Sequence, residues 1–306
     1  MKSLLLHYAI APLLLLLVLI SCHRPETAQK QDASIWKDFS GETALAHVQH
    51  LVDLGPRPPG SEAIEKARTY IEDQLRSAGW QVGRQEFTED TPRGKVGFVN
   101  LIARFTGEKK TKPVFLLCSH YDTKIFDRFQ FVGANDGGSS TGLLLEMARV
   151  LGQRPKLAAK IELVFFDGEE AFESYTATDG FYGSRHFTTN INSSDARQFR
   201  GGILFDMVGD RSLKITLSPD SPSQMARDIF ASAEVLQVRS HFTYSDFEIS
   251  DDHTALNSIG ISTIDLIDFD YPAWHTADDT IDKLSAESLQ TVGSVAMYYL
   301  AEFALK

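Results

Sequence analysis

The stretch Ile161-Glu-Leu-Val-Phe-Phe-Asp-Gly-Glu-Glu-Ala-Phe172 places two adjacent carboxylates, Glu169 and Glu170, directly after an apolar run. A continuous run of this kind suits a buried strand in a parallel sheet, where ligands bind just beyond the carboxyl ends of the strands. Two neighbouring carboxylates repel each other unless a cation or a proton separates their roles. We therefore expect a parallel α/β sheet with a chemical site at the end of this strand.

Further polar residues stand at the ends of other apolar segments. These candidates are His120, Asp122, Asp136, Asp206, Asp252, His253 and His275. Taken singly, they have ordinary structural interpretations: Asp136 could cap the helix that follows it, Asp206 could be a buried hydrogen-bonded acid, and His275 could be a loop histidine. Together they predict a cation site assembled from several strand ends.

The rest of the chain alternates between helical and strand patterns. Helices are predicted over residues 42–54, 61–78, 137–151, 222–236 and 285–305, and strands over 80–87, 98–105 and 262–267 and from residues 113, 161 and 203 onward. Strands that alternate with helices imply a mostly parallel sheet that is covered on both faces. The predicted fold is α/β: a single-domain three-layer αβα sandwich with a mostly parallel, twisted central sheet.

Several motifs occur in a fixed order, which is far more specific than one short match. They are Ser119-His-Tyr-Asp-Thr-Lys124, Phe131-Val-Gly-Ala-Asn-Asp136, Phe165-Phe-Asp-Gly-Glu-Glu-Ala-Phe172, Tyr182-Gly-Ser-Arg-His186, Asp251-Asp-His253 and Trp274-His-Thr-Ala-Asp-Asp279. The series resembles the animal-type (type II) glutaminyl-peptide cyclotransferases, or glutaminyl cyclases, which are relatives of the zinc aminopeptidases. The resemblance runs from about Gly55 to the final helix, so it implies the zinc-aminopeptidase (phosphorylase/hydrolase-like) fold.

The resemblance also implies a metal centre. It makes Asp136, Glu170 and His275 the ligands of a single Zn²⁺, which leaves a fourth position open to water or substrate, as a catalytic zinc site requires. Glu169 becomes the general acid/base, and Asp206 and Asp252 become catalytic carboxylates that hydrogen-bond with it. Clustered acids of this kind share protons, so one of them is expected to stay protonated near neutral pH.

Three aromatic residues are assigned to substrate binding. Trp274 is expected to wall the substrate pocket, because an aromatic side chain next to the ligand His275 suits a small, closed pocket. Animal glutaminyl cyclases carry a tryptophan in the loop after the second glutamate, and Tyr175 is the expected substitute here. Tyr271 is expected at the pocket rim, although it could also be a turn aromatic that precedes Pro272.

The implied reaction converts an N-terminal glutamine of a peptide or protein to pyroglutamate and releases ammonia. The alternative is a di-zinc aminopeptidase, in which His120 and Asp206 join the ligand set, Asp136 bridges two Zn²⁺ ions and Glu169 activates a water for hydrolysis. The motifs around the ligands, above all Trp274 before the ligand histidine, favour the cyclase. A binding protein that keeps only the fold would lack a ligand or the base, and none is missing.

The amino terminus predicts export. Met1-Lys2, the apolar run over residues 11–20 and Ser21-Cys22 have the pattern of a secretory signal, and Leu19-Ile-Ser-Cys22 resembles a bacterial lipoprotein box. We expect residues 1–21 to be the signal peptide, 22–36 a polar tether and 37–306 the zinc-dependent catalytic domain. The expected location is the periplasmic side of the envelope, as an outer-membrane lipoprotein that is anchored to the membrane at Cys22. The alternative is an ordinary signal peptide cleaved nearby.

Composition agrees with one globular enzyme. The 306 residues are 43% hydrophobic and 23% charged, which supports a buried core. A formal net charge of -11 argues against nucleic acid as a partner. Acidic residues crowd the expected site, which favours a substrate with a cationic amino terminus.

Overall fold

A single mixed sheet forms the centre of the molecule. The computed structural model describes residues 34–106 and 112–306. Within these residues the strands are β1 (Trp80–Thr91), β2 (Gly94–Phe105), β3 (Val114–His120), β4 (Ile161–Phe166), β5 (Phe199–Asp206), β6 (Ile215–Leu217), β7 (Phe242–Tyr244) and β8 (Thr263–Ile267). Their order in the sheet is β1-β2-β4-β3-β5-β8-β6-β7.

The four central strands, β4, β3, β5 and β8, run parallel to one another. Every residue of β3 and β4 is buried, as expected for strands that are covered on both faces. The register pairs His120 with Phe166 and Asp206 with Ile267, so the carboxyl ends of all four strands lie along one edge of the sheet. The site residues predicted at strand ends are therefore brought to the same edge.

Helices cover both faces of the sheet. The α-helices longer than four residues are α1 (Gly41–Asp53), α2 (Glu62–Ser77), α3 (Ser140–Gly152), α4 (Tyr182–Thr189), α5 (Ser223–Val235), α6 (Asp252–Ser258) and α7 (Ala286–Tyr299), which continues as a π-helical turn at Leu300–Ala304. Single turns lie at Ile35–Asp38, Pro155–Ala158, Ser193–Ala196, Arg239–His241 and Ile281–Lys283, and an irregular turn at Ala134–Ser139. Alternate residues of β4 face different cores: Leu163 and Phe165 pack in the larger core, whereas Val164 and Phe166 pack in the smaller one. The three-layer αβα sandwich is thereby confirmed.

Capping explains where several helices begin. The side chain of Ser61 accepts a hydrogen bond from the Ile64 amide, and that of Ser285 accepts one from the Ser288 amide, so each serine satisfies an amide that has no partner within its own helix. Gly79, the residue that follows the helix predicted over 61–78, has φ +89°, a left-handed conformation that favours glycine and ends the helix.

The helix predicted from residue 137 begins three residues later, at Ser140. Gly137 has φ +74°, and an added Cβ there would lie 2.7 Å from the carbonyl oxygen of Asp122. A tight non-helical turn therefore precedes α3 and carries Asp136 toward the strand ends. The three-residue strands β6 and β7 were not predicted, because so few residues carry no readable alternation.

The start of the packed unit differs slightly from the prediction. Ile35 is buried in the larger core and Trp36 packs against it, so the end of the predicted tether belongs to the folded domain. The predicted signal peptide and Cys22 lie outside the described residues, and the division of the chain at these points stays a prediction. Among the described residues, no helix combines the length and apolar character needed to cross a membrane.

Candidate metal centre and active site

Three predicted ligands meet at the carboxyl edge of the sheet. One ligand atom each from Asp136, Glu170 and His275 lies within 4.8 Å of the other two. His275 Nε2 is 3.4 Å from Asp136 Oδ2 and 3.2 Å from Glu170 Oε2. Asp136 Oδ2 is buried and has no hydrogen bond within the described part of the chain, as expected for an oxygen that faces a cation. Two carboxylates and one imidazole are a donor set that fits zinc.

A second possible metal triad shares Asp136 with the first. His120 Nε2 lies 3.3 Å from Asp136 Oδ1 and 3.2 Å from Asp206 Oδ1. The two oxygens of Asp136 thus face two different histidines. In both triads the ligand atoms lie within 4.8 Å of one another, and the side chain of His120 points inward to the site.

Asp122 supports the two adjacent glutamates through the backbone. Its carboxylate accepts hydrogen bonds from the amides of Glu169, at 3.2 Å, and Glu170, at 3.3 Å. Its Oδ1 also lies 3.4 Å from His120 Nδ1. Asp122 therefore orients a histidine of the second triad and the loop that carries a ligand of the first. The sequence placed Asp122 in a motif without assigning it this role.

Asp279 supports the metal ligand Asp136 in the same way. Its carboxylate accepts hydrogen bonds from the amides of Asn135, at 2.8 Å, and Asp136, at 3.1 Å. The hydroxyl of Tyr271 donates to the same carboxylate at 2.8 Å. Tyr271 is only 4% exposed, so the prediction that places it at the pocket rim is corrected: its hydroxyl is directed inward to Asp279.

Glu169, the predicted acid/base, is buried beside the ligand Glu170. Burial raises the pKa of Glu169 well above its usual range, and the charge on Glu170 adds to this effect while His120 opposes it. A carboxyl group with a raised pKa can carry a proton near neutral pH and then release it, as general acid/base catalysis requires. Its position and environment both suit the predicted role.

Asp206 and Asp252 are buried close to this site but differ in their contacts. The carboxylate of Asp206 is hydrogen-bonded to His120, not to a group that would link it to Glu169. Both carboxylate oxygens of Asp252 lack a hydrogen-bond partner among the described residues, and burial raises its pKa to about 7. A hydrogen bond between two carboxyl groups needs a proton on one of them, and Asp252 is suited to hold it. The predicted hydrogen bonds from these two acids to Glu169 stay predictions.

Aromatic side chains surround the ligand His275. The indole of Trp274 stacks on its imidazole with ring centroids 4.3 Å apart, and Phe126 and Phe131 present their rings at 5.7 and 5.9 Å. Trp274 is 37% exposed, and its role as a wall of the substrate pocket stays a prediction. His275 has φ +55°, a strained conformation for this residue type of the kind that persists at functional sites.

Tyr175 and Lys124 also contact Glu170. The Tyr175 hydroxyl donates to Glu170 Oε2 at 2.8 Å and lies 3.2 Å from Glu169 Oε2. Lys124 Nζ is 3.6 Å from Glu170 Oε2. Tyr175 was predicted at the site, whereas Lys124 was missed, although it ends a motif that also contains His120.

Arg57 is a further residue without a predicted role. Its side chain is fully buried and donates hydrogen bonds to the carbonyls of Tyr121, Val132 and Gly133 at 3.3, 2.8 and 3.1 Å. These carbonyls belong to the two loops that carry Asp122 and Asp136. The arginine in Gly-Pro-Arg-Pro-Pro-Gly therefore holds the two site loops together through hydrogen bonds. In the sequence, only its position between prolines and glycines could have indicated this structural role.

Comparison with known proteins gives concordant results. Residues 100–300 match the model of a family described as Peptidase family M28. A glutaminyl-peptide cyclotransferase from Boiga irregularis is 27% identical over 292 residues, which cover 83% of this chain and 78% of that protein.

Solved structures extend the likeness to the fold. The crystal structure of an Acidobacteriales bacterium glutaminyl cyclase has 32% sequence identity and a TM-score of 0.77, covering 86% of this chain and 94% of that one. A protein from Parabacteroides distasonis, described as a Zn-dependent exopeptidase, has 27% identity and a TM-score of 0.78, covering 87% of this chain and 99% of its own. The chain belongs to peptidase family M28 and, within it, to the glutaminyl cyclases.

Proposed function

We propose that the protein is a zinc-dependent glutaminyl-peptide cyclotransferase, which converts the N-terminal glutamine of peptides or proteins to pyroglutamate with release of ammonia. The observation that carries this proposal is the group of Asp136, Glu170 and His275, with Glu169 adjacent to one ligand and Trp274 stacked on another. Its membership among the glutaminyl cyclases supports the same reaction.

The residues of this chain supply proton transfer and positioning. A bound Zn²⁺ would polarise the side-chain amide carbonyl of the substrate glutamine. The neutral α-amine of the substrate forms a bond to that carbonyl carbon, and the bond from carbon to the amide nitrogen breaks. Glu169 takes a proton from the attacking amine and delivers it to the departing nitrogen, which leaves as ammonia.

Ring closure needs little more than the correct conformer. Nucleophile and electrophile belong to one molecule, so the site mainly restricts the substrate to a geometry in which the amine faces the amide. Trp274 beside His275 and Tyr175 beside Glu170 provide such restriction. No water has to be activated, which separates this reaction from peptide hydrolysis.

We propose one Zn²⁺ per chain, held by Asp136, Glu170 and His275. The second candidate function, a di-zinc aminopeptidase, is favoured by one specific observation: His120, Asp136 and Asp206 also form a group with metal-ligand spacing. In that case Asp136 would bridge two ions.

An assay on two substrates separates these functions. Purified protein is given peptides with N-terminal glutamine or leucine, ammonia and free amino acid are followed, and zinc is counted on the same sample. Ammonia release with about one zinc per chain supports the cyclase, whereas leucine release with about two supports the aminopeptidase. Glu169→Gln should keep its zinc while the cyclisation rate falls by roughly 10²–10⁴-fold, the usual contribution of a general acid/base.

We also propose that the protein is exported and anchored to the membrane through a lipid on Cys22, without nucleic acid as a partner. Support comes from the sequence of residues 1–22 and from the net charge. Metabolic labelling with a radioactive fatty acid tests the anchor: label that persists in Cys22→Ser would overturn it.

A further inference from the structure

The hydroxyl of Tyr175 lies between the two adjacent glutamates. It is 2.8 Å from Glu170 Oε2 and 3.2 Å from Glu169 Oε2. A phenol has one proton to donate, and the shorter contact assigns it to Glu170. The tyrosine that stands where the resemblance expects a tryptophan therefore donates a hydrogen bond to a predicted metal ligand.

The loop that carries Tyr175 is held in place by Asp179. The carboxylate of Asp179 accepts hydrogen bonds from the amides of Phe172, Glu173 and Ser174 at 2.8, 2.9 and 3.1 Å. These bonds fold the segment before Tyr175 into a compact turn. The position of the hydroxyl is consequently set by the backbone of the loop.

The ring of Tyr175 has neighbours on one side, although the residue as a whole is 38% exposed. Phe181 stacks on it with centroids 5.0 Å apart. Gly180 lies so near that an added Cβ would be 2.7 Å from Tyr175 Cδ1, and its φ of +97° already favours glycine. These ring contacts and the hydrogen bonds in the loop together favour the position of the hydroxyl beside the two glutamates.

The ammonium group of Lys124 lies beside the same oxygen of Glu170. Lys124 Nζ donates to the carbonyl of Ala171 at 2.6 Å and lies 3.6 Å from Glu170 Oε2. It is also 5.0 Å from the centroid of the Tyr175 ring. Oε2 of Glu170 therefore has a hydroxyl donor and an ammonium group beside it, and both oxygens of this carboxylate face His275 Nε2, Oε2 at 3.2 Å and Oε1 at 3.3 Å.

We propose that Tyr175 is a positioning residue for the metal ligand Glu170, with Lys124 in a supporting role. Through their contacts with Oε2, the two side chains fix the carboxylate rotamer and hold Glu170 beside His275. The donation to Glu170 also leaves Glu169 free to accept a proton from substrate. Groups that hydrogen-bond to metal ligands typically contribute 10–100-fold in metal affinity or activity.

The test is the zinc affinity of Tyr175→Phe, measured by competition with a chromogenic chelator. This variant keeps the ring and its packing and removes only the hydroxyl, and we expect zinc affinity to fall about 10–100-fold. The matched control is Tyr244→Phe, which removes a hydroxyl from a 47% exposed tyrosine on β7 and should not change zinc affinity. Lys124→Gln is a second variant, with a smaller loss in the same direction expected.

The possible outcomes are distinct. Unchanged zinc affinity in Tyr175→Phe, with melting of the metal-free protein as in the wild type, would overturn the proposal. A higher KM for glutaminyl peptide at unchanged zinc affinity would also overturn it, because Tyr175 would then be a substrate contact alone. The positioning role rests on the proposed function only for its effect on catalysis. If Tyr175→Phe weakens zinc binding but the wild-type protein releases leucine instead of ammonia, the positioning role is retained and the cyclase function is rejected.

Discussion

The two metal triads share Asp136 but are built in different ways. His120 and Asp206 are the last residues of β3 and β5, so the register of the sheet sets their positions. Glu170 and His275 lie in loops after β4 and β8, where no sheet hydrogen bonds hold them. A strand-end ligand is thus positioned by the fold itself, whereas a loop ligand needs added contacts.

Those added contacts are buried acids that accept backbone amides. Asp122 holds the loop of Glu170, and Asp279 holds the turn of the shared ligand Asp136. The comparison indicates that the backbone of the loop residue Glu170 depends on a long-range hydrogen bond, whereas the backbones of His120 and Asp206 are placed by the sheet. Substitutions in the two triads and in their support should therefore have effects of different size.

The largest effect is expected from Asp136→Ala. This change removes a ligand from both triads, so the protein should lose all bound zinc and its cyclisation activity together. Zinc per chain after dialysis and ammonia release from a glutaminyl peptide measure the two losses. Asp73→Ala, a change of an exposed acid on α2, is the control and should leave both unchanged. Full zinc content in Asp136→Ala would contradict the shared role.

The variants Glu170→Ala and His120→Asn distinguish a single zinc in the loop triad from two zinc ions in both triads. If a single zinc occupies the loop triad, Glu170→Ala should bind almost none, while His120→Asn should keep about one zinc per chain. Metal analysis of both proteins, with circular dichroism to check folding, measures the difference. A fall from two zinc ions to one in His120→Asn would instead identify the strand-end triad as a second site.

The smallest effect is expected from Tyr271→Phe in the support of the loop triad. It removes the hydroxyl that donates to Asp279 at 2.8 Å, and loss of a hydrogen bond to a buried charged group should lower the free energy of unfolding by about 1–3 kcal/mol. Denaturant unfolding measures this loss, with Tyr244→Phe as the exposed control. A raised KM for the glutaminyl peptide with an unchanged free energy of unfolding would instead support the predicted place of Tyr271 at the pocket rim.

Much of the site was predictable because its residues follow strong local patterns. The apolar run before Glu169 and Glu170 identified a central strand, and the ordered motifs identified Asp136, His275 and Trp274. Roles that depend on where a side chain points were predicted less well. Tyr271 was placed at the pocket rim because a turn sequence does not reveal which way its ring is directed, and Lys124 and Arg57 were assigned no role.

The sequence by itself determined the alternation of strands and helices, the family and the set of residues able to bind a cation, because each follows from local periodicity or from motifs in a fixed order. Only the tertiary structure showed which acids lie beside a histidine with metal-ligand spacing and which accept hydrogen bonds from the backbone of those residues. Asp279 and the Asp136 amide that it binds are 143 residues apart, and Asp122 and the Glu170 amide are 48 apart. Contacts over such separations are formed when the strand ends meet at one edge of the sheet, and the direction of each side chain there is set by packing that no local pattern encodes.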